Sequence, residues 1–327
     1  MARTDDPLPV GVVGVGSMGR QHARVFAELP SASLVGVSDA DAERARAVAD
    51  DYGATSLPIE RLLSSVAAVS IAAPDRHHYD LARRALDAGV HVLVEKPFVT
   101  DVGEGRDLVD RAERADLVLQ VGHVERFNPA VRTLRDVLAD EDVISIEADR
   151  LGPPLDRDVS GSPVRDLMIH DIDVVCSLLD EPIRGVQATV AGEQPHVTAV
   201  LSFDSGTTAR LTASRVTQQK VRTLGVTTHD ARVNADYLSQ SVEIHRRSVP
   251  EYVAQNGDVK YRHEGVIERP TVERGEPLHN ELESFVASIR EGTPPAVPGE
   301  DGLRALEIAQ LIEARAADQP PRPEVPR

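Results

Sequence analysis

Cysteine occurs once, at Cys176, so no disulfide can close within the chain, and the sequence suits a reducing compartment. No apolar run approaches the length of a membrane span. The first residues, Met1–Pro9, carry Asp5 and Asp6 and no apolar signal core; nothing there suggests export, and a cytoplasmic protein is expected. Positive charge is scarce, with 36 basic against 53 acidic residues and a net charge of −17. That balance argues against nucleic acid and anionic membranes as partners, because both would be repelled. Lysine is scarcer still: Lys96, Lys220 and Lys260 are its only three occurrences, and the remaining bases are arginine. A GC-rich genome would explain the arginine bias but not the acid excess. A salt-rich cytoplasm would explain both, since acidic surfaces stay solvated there and self-repulsion is screened, so a salt-adapted (halophilic) protein is expected.

At 327 residues and 41% hydrophobic content, the chain has room for two domains with buried cores. Its first part alternates strand and helix signals. Val10–Val15, Leu34–Ser38, Val66–Ala73, His91–Glu95 and Leu117–Val124 read as strands. Ser17–Leu29, Ala40–Asp51, His77–Ala88 and Val102–Arg114 read as helices. Such alternation predicts a doubly wound parallel sheet with crossover helices. The pattern then changes. Asn128–Ala139 and Asp166–Leu179 read as helices and Val143–Asp149 as a strand. From about 185 to 268 strand-like alternation dominates, as in Val186–Ala191, His196–Phe203, Thr207–Ala213 and Val221–Thr227, with turns such as Asp204-Ser205-Gly206. Consecutive strands with short turns predict an antiparallel sheet. Helices are expected at Leu278–Arg290 and Leu303–Arg315. The expected division is a dinucleotide-binding domain at 1–125, a substrate-binding and oligomerisation domain at 126–319, and a proline-rich tail at 320–327.

Gly14, Gly16 and Gly19 form G-x-G-x-x-G between a strand and a helix, with Ser17 and Met18 inside the motif. Glycines there allow a tight turn and close approach of the backbone to a pyrophosphate seated on the helix N-terminus. Asp39 follows Gly19 by 20 residues, at the end of the second strand, where a carboxylate binds the ribose 2′-OH of NAD. A carboxylate there would repel the 2′-phosphate of NADP; Arg44 and Arg46 lie further along the helix and are expected to face solvent, so NAD is favoured over NADP. The third strand leads into Ala73, Pro74, His77 and His78, which would pass beneath the nicotinamide ribose. A plain loop and helix start explains Pro74 equally well.

Lys96 ends the run His91-Val92-Leu93-Val94-Glu95, at the C-terminal end of a strand, where open α/β sheets bind ligands. An amine is a compact point charge that an arginine cannot replace; the bland reading is a charged residue that ends a strand. A second cluster holds Asp166, His170 and Asp173. On a helix these share one face, while Leu167, Ile169, Ile172, Val174 and Val175 cover the others. This stripe reads as a cleft-lining site, as an Asp–His bond inside a core, or less readily as a metal site, so no metal is expected. Alcohol oxidation suits it best. His170 is a suitable general base, Asp166 could orient it, and Lys96 could donate a hydrogen bond to the developing alkoxide. Arg126, Asn128 and Arg165 are candidate substrate contacts, since arginine clamps a diphosphate.

Taken together, these residues resemble the glucose–fructose oxidoreductase/inositol dehydrogenase (Gfo/Idh/MocA) family. The resemblance runs over nearly the whole chain. It rests on Gly14–Gly19, the Ala73-Pro74…His78 stretch, the run from Ala88 through Glu95-Lys96-Pro97, the run Gly122–Pro129 and Asp166-x-x-x-His170-x-x-Asp173. It implies a Rossmann domain followed by an α/β domain whose large, open, mainly antiparallel sheet often makes a homodimer or homotetramer interface. It also implies Glu95 and Lys96 at the cofactor, and Lys96 and His170 as the catalytic pair with Asp166 beside them. The segment Gly161–Arg165 and Met168 depart from the glycine-rich pattern around the family's aspartate, which puts the inositol pocket in doubt. The phrases Val124–Ala130 and Ile169–Asp173 are similar to the branch that oxidises the 3-hydroxyl of UDP-N-acetylglucosamine. Oxidation of inositol or a free sugar, a reductase or dehalogenating activity on another acceptor, and a non-catalytic NAD(P)-binding regulator are the alternatives.

Overall fold

The computed structural model describes residues 6–154, 162–191, 196–247, 251–255, 258–262 and 265–318. The proline-rich tail expected at 320–327 lies outside the described residues. The chain forms two compact units. The first comprises residues up to Phe127 together with Gly275–Glu307; the second comprises Asn128–Arg274 and the residues from Ile308 onward. The sequence reading placed residues 126–319 in one continuous domain. Residues 275–307 correct that: they return to the first unit, for a reason visible in its packing.

In the first unit, strands β1 (Leu8–Val13), β2 (Ala32–Ser38), β3 (Thr55–Ser56), β4 (Ala68–Ile71), β5 (His91–Glu95) and β6 (Leu119–Gly122) form one sheet in the order β3-β2-β1-β4-β5-β6. Every pairing is parallel. Strand order reverses direction between β1 and β4, which opens a crevice at the carboxyl ends of those strands. The connecting helices are α1 (Ser17–Glu28), α2 (Ala42–Tyr52), the short α3 (Ile59–Leu63), α4 (His78–Asp87) and α5 (Val102–Ala115). The strands read as unbroken apolar runs because both sheet faces are buried. Val12, Val37 and Leu93 point to one face, where Phe26 of α1 meets Leu282, Phe285 and Val286 of α8 (Pro277–Glu291). Val13, Ile71, Val92 and Val94 point to the other, with Leu86, Leu108 and the Leu303 and Leu306 side chains of α9 (Gly299–Ala317). Without α8 and the start of α9 both apolar faces would lose part of their cover, so the chain must come back.

The second unit begins with α6 (Pro129–Leu138) and β7 (Val143–Leu151), and continues through a π-helical turn at Val164–Met168 into α7 (Ile169–Leu179). Its strands are β8 (Ile183–Ala191), β9 (His196–Phe203), β10 (Thr208–Ser214), β11 (Val221–Thr228), β12 (Ala231–Asp236), β13 (Ser241–Arg247), the hairpin β14 (Glu251–Gln255) and β15 (Asp258–Arg262), and β16 (Gly265–Glu268). Eight of them form a sheet in the order β16-β13-β12-β11-β7-β10-β9-β8. Only β7 and β10 pair in parallel; the remaining neighbours are antiparallel. Residues alternate strictly between faces. Ile146, Ala148, Leu211, Leu224, Val226 and Val233 are buried on the side that α6 and α7 contact. Glu147, Asp149, Thr223, Arg232 and Asn234 line the other. There Arg232 lies flat across Gly225, donating to Glu147 Oε2 (2.6 Å) and Thr227 Oγ1 (2.7 Å). A Cβ on residue 225 would stand 2.2 Å from that guanidinium, so any larger residue there would make the Arg232 side chain shift.

One buried ion pair pins α7 to this sheet. Arg150 of β7 donates from Nε to Asp171 Oδ2 (2.7 Å) and from NH2 to Oδ1 (2.8 Å), with both side chains at most 4% exposed. The Arg150 guanidinium also sits 5.5 Å from the centre of the Tyr237 ring. A charge on the apolar face is tolerated because the fork is bidentate; loss of either partner would strand the other, at a cost of about 3–5 kcal/mol.

The packing of the first unit predicts that a fragment ending at Phe127 will not fold stably by itself, whereas the same fragment joined to residues 275–307 by a flexible linker will. In the full chain, Phe285→Ala should destabilise by about 3–5 kcal/mol through the cavity it leaves. Thermal and urea unfolding followed by circular dichroism measures both; a cooperative, native-like transition in the short fragment would refute the assignment of 275–307.

Candidate active site

At the end of β1 the chain turns through Gly14, whose φ of +83° favours glycine. A Cβ there would lie 2.6 Å from the Ala73 nitrogen at the exit of β4. One on Gly19 would lie 1.8 Å from the Gly14 carbonyl oxygen. These two glycines let the turn press against both β4 and α1. Gly16 differs: a Cβ on it would meet nothing within 4 Å. It is the N-cap of α1, no side chain caps the first turn, and no acid lies in that turn. Open backbone N–H groups at Ser17, Met18 and Gly19, at the positive end of a helix, are a ready anion seat. The cradle suits a dinucleotide pyrophosphate.

Asp39, which follows β2, reaches back to the same turn. Its Oδ2 accepts from the Val15 N–H (2.7 Å) and its Oδ1 from the Asp41 N–H (2.8 Å). Arg44 closes on both oxygens, from NH2 to Oδ1 at 2.7 Å and from Nε to Oδ2 at 3.2 Å. Burial alone would raise the Asp39 carboxyl, but the hydrogen bonds from Arg44, Asp41 and Val15 outweigh it and hold the group below the ordinary carboxylate range. Arg44 was expected to face solvent. It is 47% exposed, and from the start of α2 it also reaches the Asp39 carboxylate.

Lys96 follows β5, and its bond to Pro97 is cis. Beneath it lies a buried polar chain. The Lys96 N–H donates to Glu95 Oε2 at 3.1 Å, Glu95 Oε1 meets His22 Nε2 at 3.0 Å, and His22 Nδ1 meets Ser70 Oγ at 2.7 Å. His22 and Ser70 are fully buried and Glu95 is 8% exposed. Burial would raise the Glu95 carboxyl; the hydrogen bond and charge of His22, then the charge and N–H of Lys96, bring it below its ordinary value. His78 ties neighbouring loops together: one ring nitrogen lies 2.8 Å from the Ala73 carbonyl oxygen and the other 2.9 Å from that of Pro97. Both partners are acceptors, so both bonds form together only when each nitrogen carries hydrogen. His78 thus fixes the exits of β4 and β5 relative to one another. His22 escaped the sequence reading, although its signal was present: with Val25 and Phe26 it falls on the apolar stripe of α1.

In the second unit, Asp166 lies in the π-helical turn and His170 is the second residue of α7. A single α-helix from 166 to 179 was expected. The π turn is wider, a feature often found at functional sites. Asp166 was expected to orient His170; its Oδ2 accepts from the buried Arg215 guanidinium, a residue sequence reasoning did not single out. His170 is half-buried, Asp173 is buried, and Asp171 is the acid that Arg150 takes. Among the described residues, no group of three or more His, Cys, Asp or Glu side chains gathers to hold a metal ion.

The three expected substrate contacts each have a partner within the fold. Arg126 pairs with Asp301 at 2.8 Å and its side chain is 10% exposed. Arg165 pairs with Glu313 at 2.8 Å. Asn128 is buried as the N-cap of α6: its Oδ1 accepts from the Ala130 N–H (3.1 Å) and its amide donates to the Tyr237 carbonyl (3.2 Å), with Pro129 at the first helical position.

The depressed Glu95 carboxyl makes a signed prediction. Its stabilising share is fully present above the ordinary value of 4.5 and is lost as pH falls through the lower folded value. Glu95→Gln should therefore destabilise the protein near neutral pH by about 1–3 kcal/mol and make the acid limb of its stability curve shallower. Urea titrations across acid pH measure this; parallel acid limbs in wild type and variant would contradict it.

The comparisons agree with this geometry. Residues 8–123 match the model of the oxidoreductase family with NAD-binding Rossmann fold, and residues 142–234 match the GFO/IDH/MocA C-terminal domain. The chain is 35% identical over 316 residues to UDP-N-acetylglucosamine 3-dehydrogenase of Acidithiobacillus ferrooxidans, covering 94% of this chain and 98% of that protein. A solved structure of that enzyme superposes with a TM-score of 0.87 at 32% identity, covering 95% of this chain and 98% of the other. Inositol 2-dehydrogenase of Rhizobium meliloti is 30% identical over 331 residues, covering 94% of this chain and 97% of the relative. With a glycine cradle at the sheet's switch point, Lys96 at the end of the neighbouring strand and both family domains matched in order, the chain belongs to the Gfo/Idh/MocA family of NAD-binding oxidoreductases.

Proposed function

We propose that the protein is an NAD-dependent dehydrogenase that oxidises the 3-hydroxyl of UDP-N-acetylglucosamine to a ketone. The observation that carries the reading is the similarity, at 35% identity over nearly the full length of both chains, to an enzyme of that name. The cradle at Gly14–Gly19 holds the pyrophosphate, and Asp39 accepts hydrogen bonds from the adenine ribose. Ala73, Pro74 and His78 form the loop beside the nicotinamide ribose, with Glu95 and Lys96 next to them. NAD held there would supply the hydride acceptor for the carbinol carbon. His170 takes the hydroxyl proton as general base, Lys96 donates a hydrogen bond to the oxygen as negative charge develops, and Asp166, held by Arg215, keeps His170 oriented.

Oxidation of inositol or a free sugar is the second reading, favoured by the 30% identity to inositol 2-dehydrogenase. The departure of Gly161–Arg165 and Met168 from the glycine-rich family pattern counts against it. We further propose a cytoplasmic homodimer or homotetramer built through the eight-stranded sheet, whose face around Glu147, Arg232 and Glu243 is polar and solvent-accessible. Among the described residues, no helix is long and apolar enough to cross a membrane. The charge of −17 supports a protein adapted to high salt, in which case activity and melting temperature rise together from dilute buffer to molar KCl. Full activity and stability in dilute buffer would argue against salt adaptation.

NADH formation with NAD and a panel led by UDP-N-acetylglucosamine and myo-inositol tests the substrate. Turnover of the UDP-sugar alone is expected; turnover of inositol alone would move the enzyme to the second reading. His170→Ala should lower turnover roughly 10²–10⁴-fold with NAD still bound. Lys96→Arg should be severe despite its retained charge, because the planar guanidinium does not replace an amine. Near-normal rates in either variant would remove that residue from the mechanism.

A further inference from the structure

Asp39 is saturated. A carboxylate has about four lone-pair sites, and Asp39 uses four. Val15 N–H and Asp41 N–H take one oxygen each, and Arg44 takes one position on each oxygen. The two backbone donors are fixed by the β1 turn and the entry to α2. Arg44 is the only side-chain donor of the set, on the exposed surface of α2 with a side chain 47% exposed. It lies near a second acid, Asp41, whose Oδ2 is 3.7 Å from its NH1.

We infer that Arg44 occupies the positions on Asp39 that ribose hydroxyls would take, and that it acts on NAD and NADP with opposite sign. The inference rests on the reading that Asp39 meets the adenine ribose. For NAD, the 2′- and 3′-hydroxyls offer two donors to two oxygens. They replace the two Arg44 bonds one for one, so Arg44 must swing away and competes with this cofactor. For NADP, the 2′-phosphate brings no donor for Asp39, only negative charge. Arg44 then stays, cancels the repulsion from Asp39 and turns its spare N–H groups to the phosphate. One residue thus weakens binding of the first cofactor and lessens the penalty against the second, narrowing the preference for NAD.

Calorimetric titration of NAD and NADP into the full-length protein, without sugar, tests this. Arg44→Ala should tighten NAD about twofold to fivefold, the scale of one competing exposed ion pair, and weaken NADP about tenfold or more. Alanine is a good helix former, and Arg44→Gln serves as a second variant should α2 be perturbed. In an Asp39→Asn background, removal of Arg44 should no longer tighten NAD. Changes of the same sign for both nucleotides, or no change for either, would overturn the role of Arg44 while leaving dinucleotide binding intact. Wild-type protein that binds neither nucleotide would overturn the cofactor reading itself, and the inference with it.

Discussion

A carboxylate buried beneath the backbone of Lys96 is the constraint on which the first unit turns. Glu95 ends a strand buried on both sheet faces, and an unpaired carboxylate there would be prohibitively costly. Each oxygen is therefore claimed: one by His22, one by the backbone of Lys96. His22 comes from α1 and is itself closed by Ser70 of β4. One acidic group thus binds together the helix that begins at the glycine turn, the strand beside it and the strand that delivers Lys96. Each oxygen has a partner, and a buried polar network whose members are paired favours one arrangement over several.

The glycine turn depends on the same packing. Gly14 touches the exit of β4 and Gly19 touches Gly14, so α1 starts at a height set by backbone contact, and His22 lies one turn further on. His78 adds a second tie, joining the ends of β4 and β5 by their carbonyls. The phosphate seat and the lysine are positioned by strands and helix ends rather than by free loops, which is how a site gains precision. Function and fold share these residues, so most substitutions among them should affect both.

The alternation of strand and helix and the glycine cradle were legible because each has a local signature: apolar runs for strands buried on both faces, a fixed glycine spacing, an acid at a fixed distance. His91–Glu95 and His196–Phe203 match the expected strands residue for residue. What was illegible is non-local. Nothing between 275 and 307 announces that its apolar side belongs against Val12 and Val37 rather than within the second sheet. The π turn at Val164–Met168 has no periodicity that separates it from an α-helix over five residues. The short β3 and α3 fall below the length at which periodicity can be read.

The arginines show the same limit from the side of charge. Arg126 and Arg165 were read as diphosphate ligands because an arginine near a site motif invites that reading. In a chain with 53 acids and 36 bases, carboxylates pair with these guanidinium groups: Asp301 with Arg126, Glu313 with Arg165, Asp166 with Arg215 and Asp39 with Arg44. The excess of acid therefore gives these arginines partners within the protein before any ligand arrives. It also changes what an arginine can do. One that is paired with an acid designed to meet a ligand is not spent, because the ligand and the arginine then compete for the same oxygens. Of the four pairs, only that of Asp39 with Arg44 joins a carboxylate beside the glycine turn to a guanidinium about half exposed to solvent, which is why the proposed competition with a ligand is placed there.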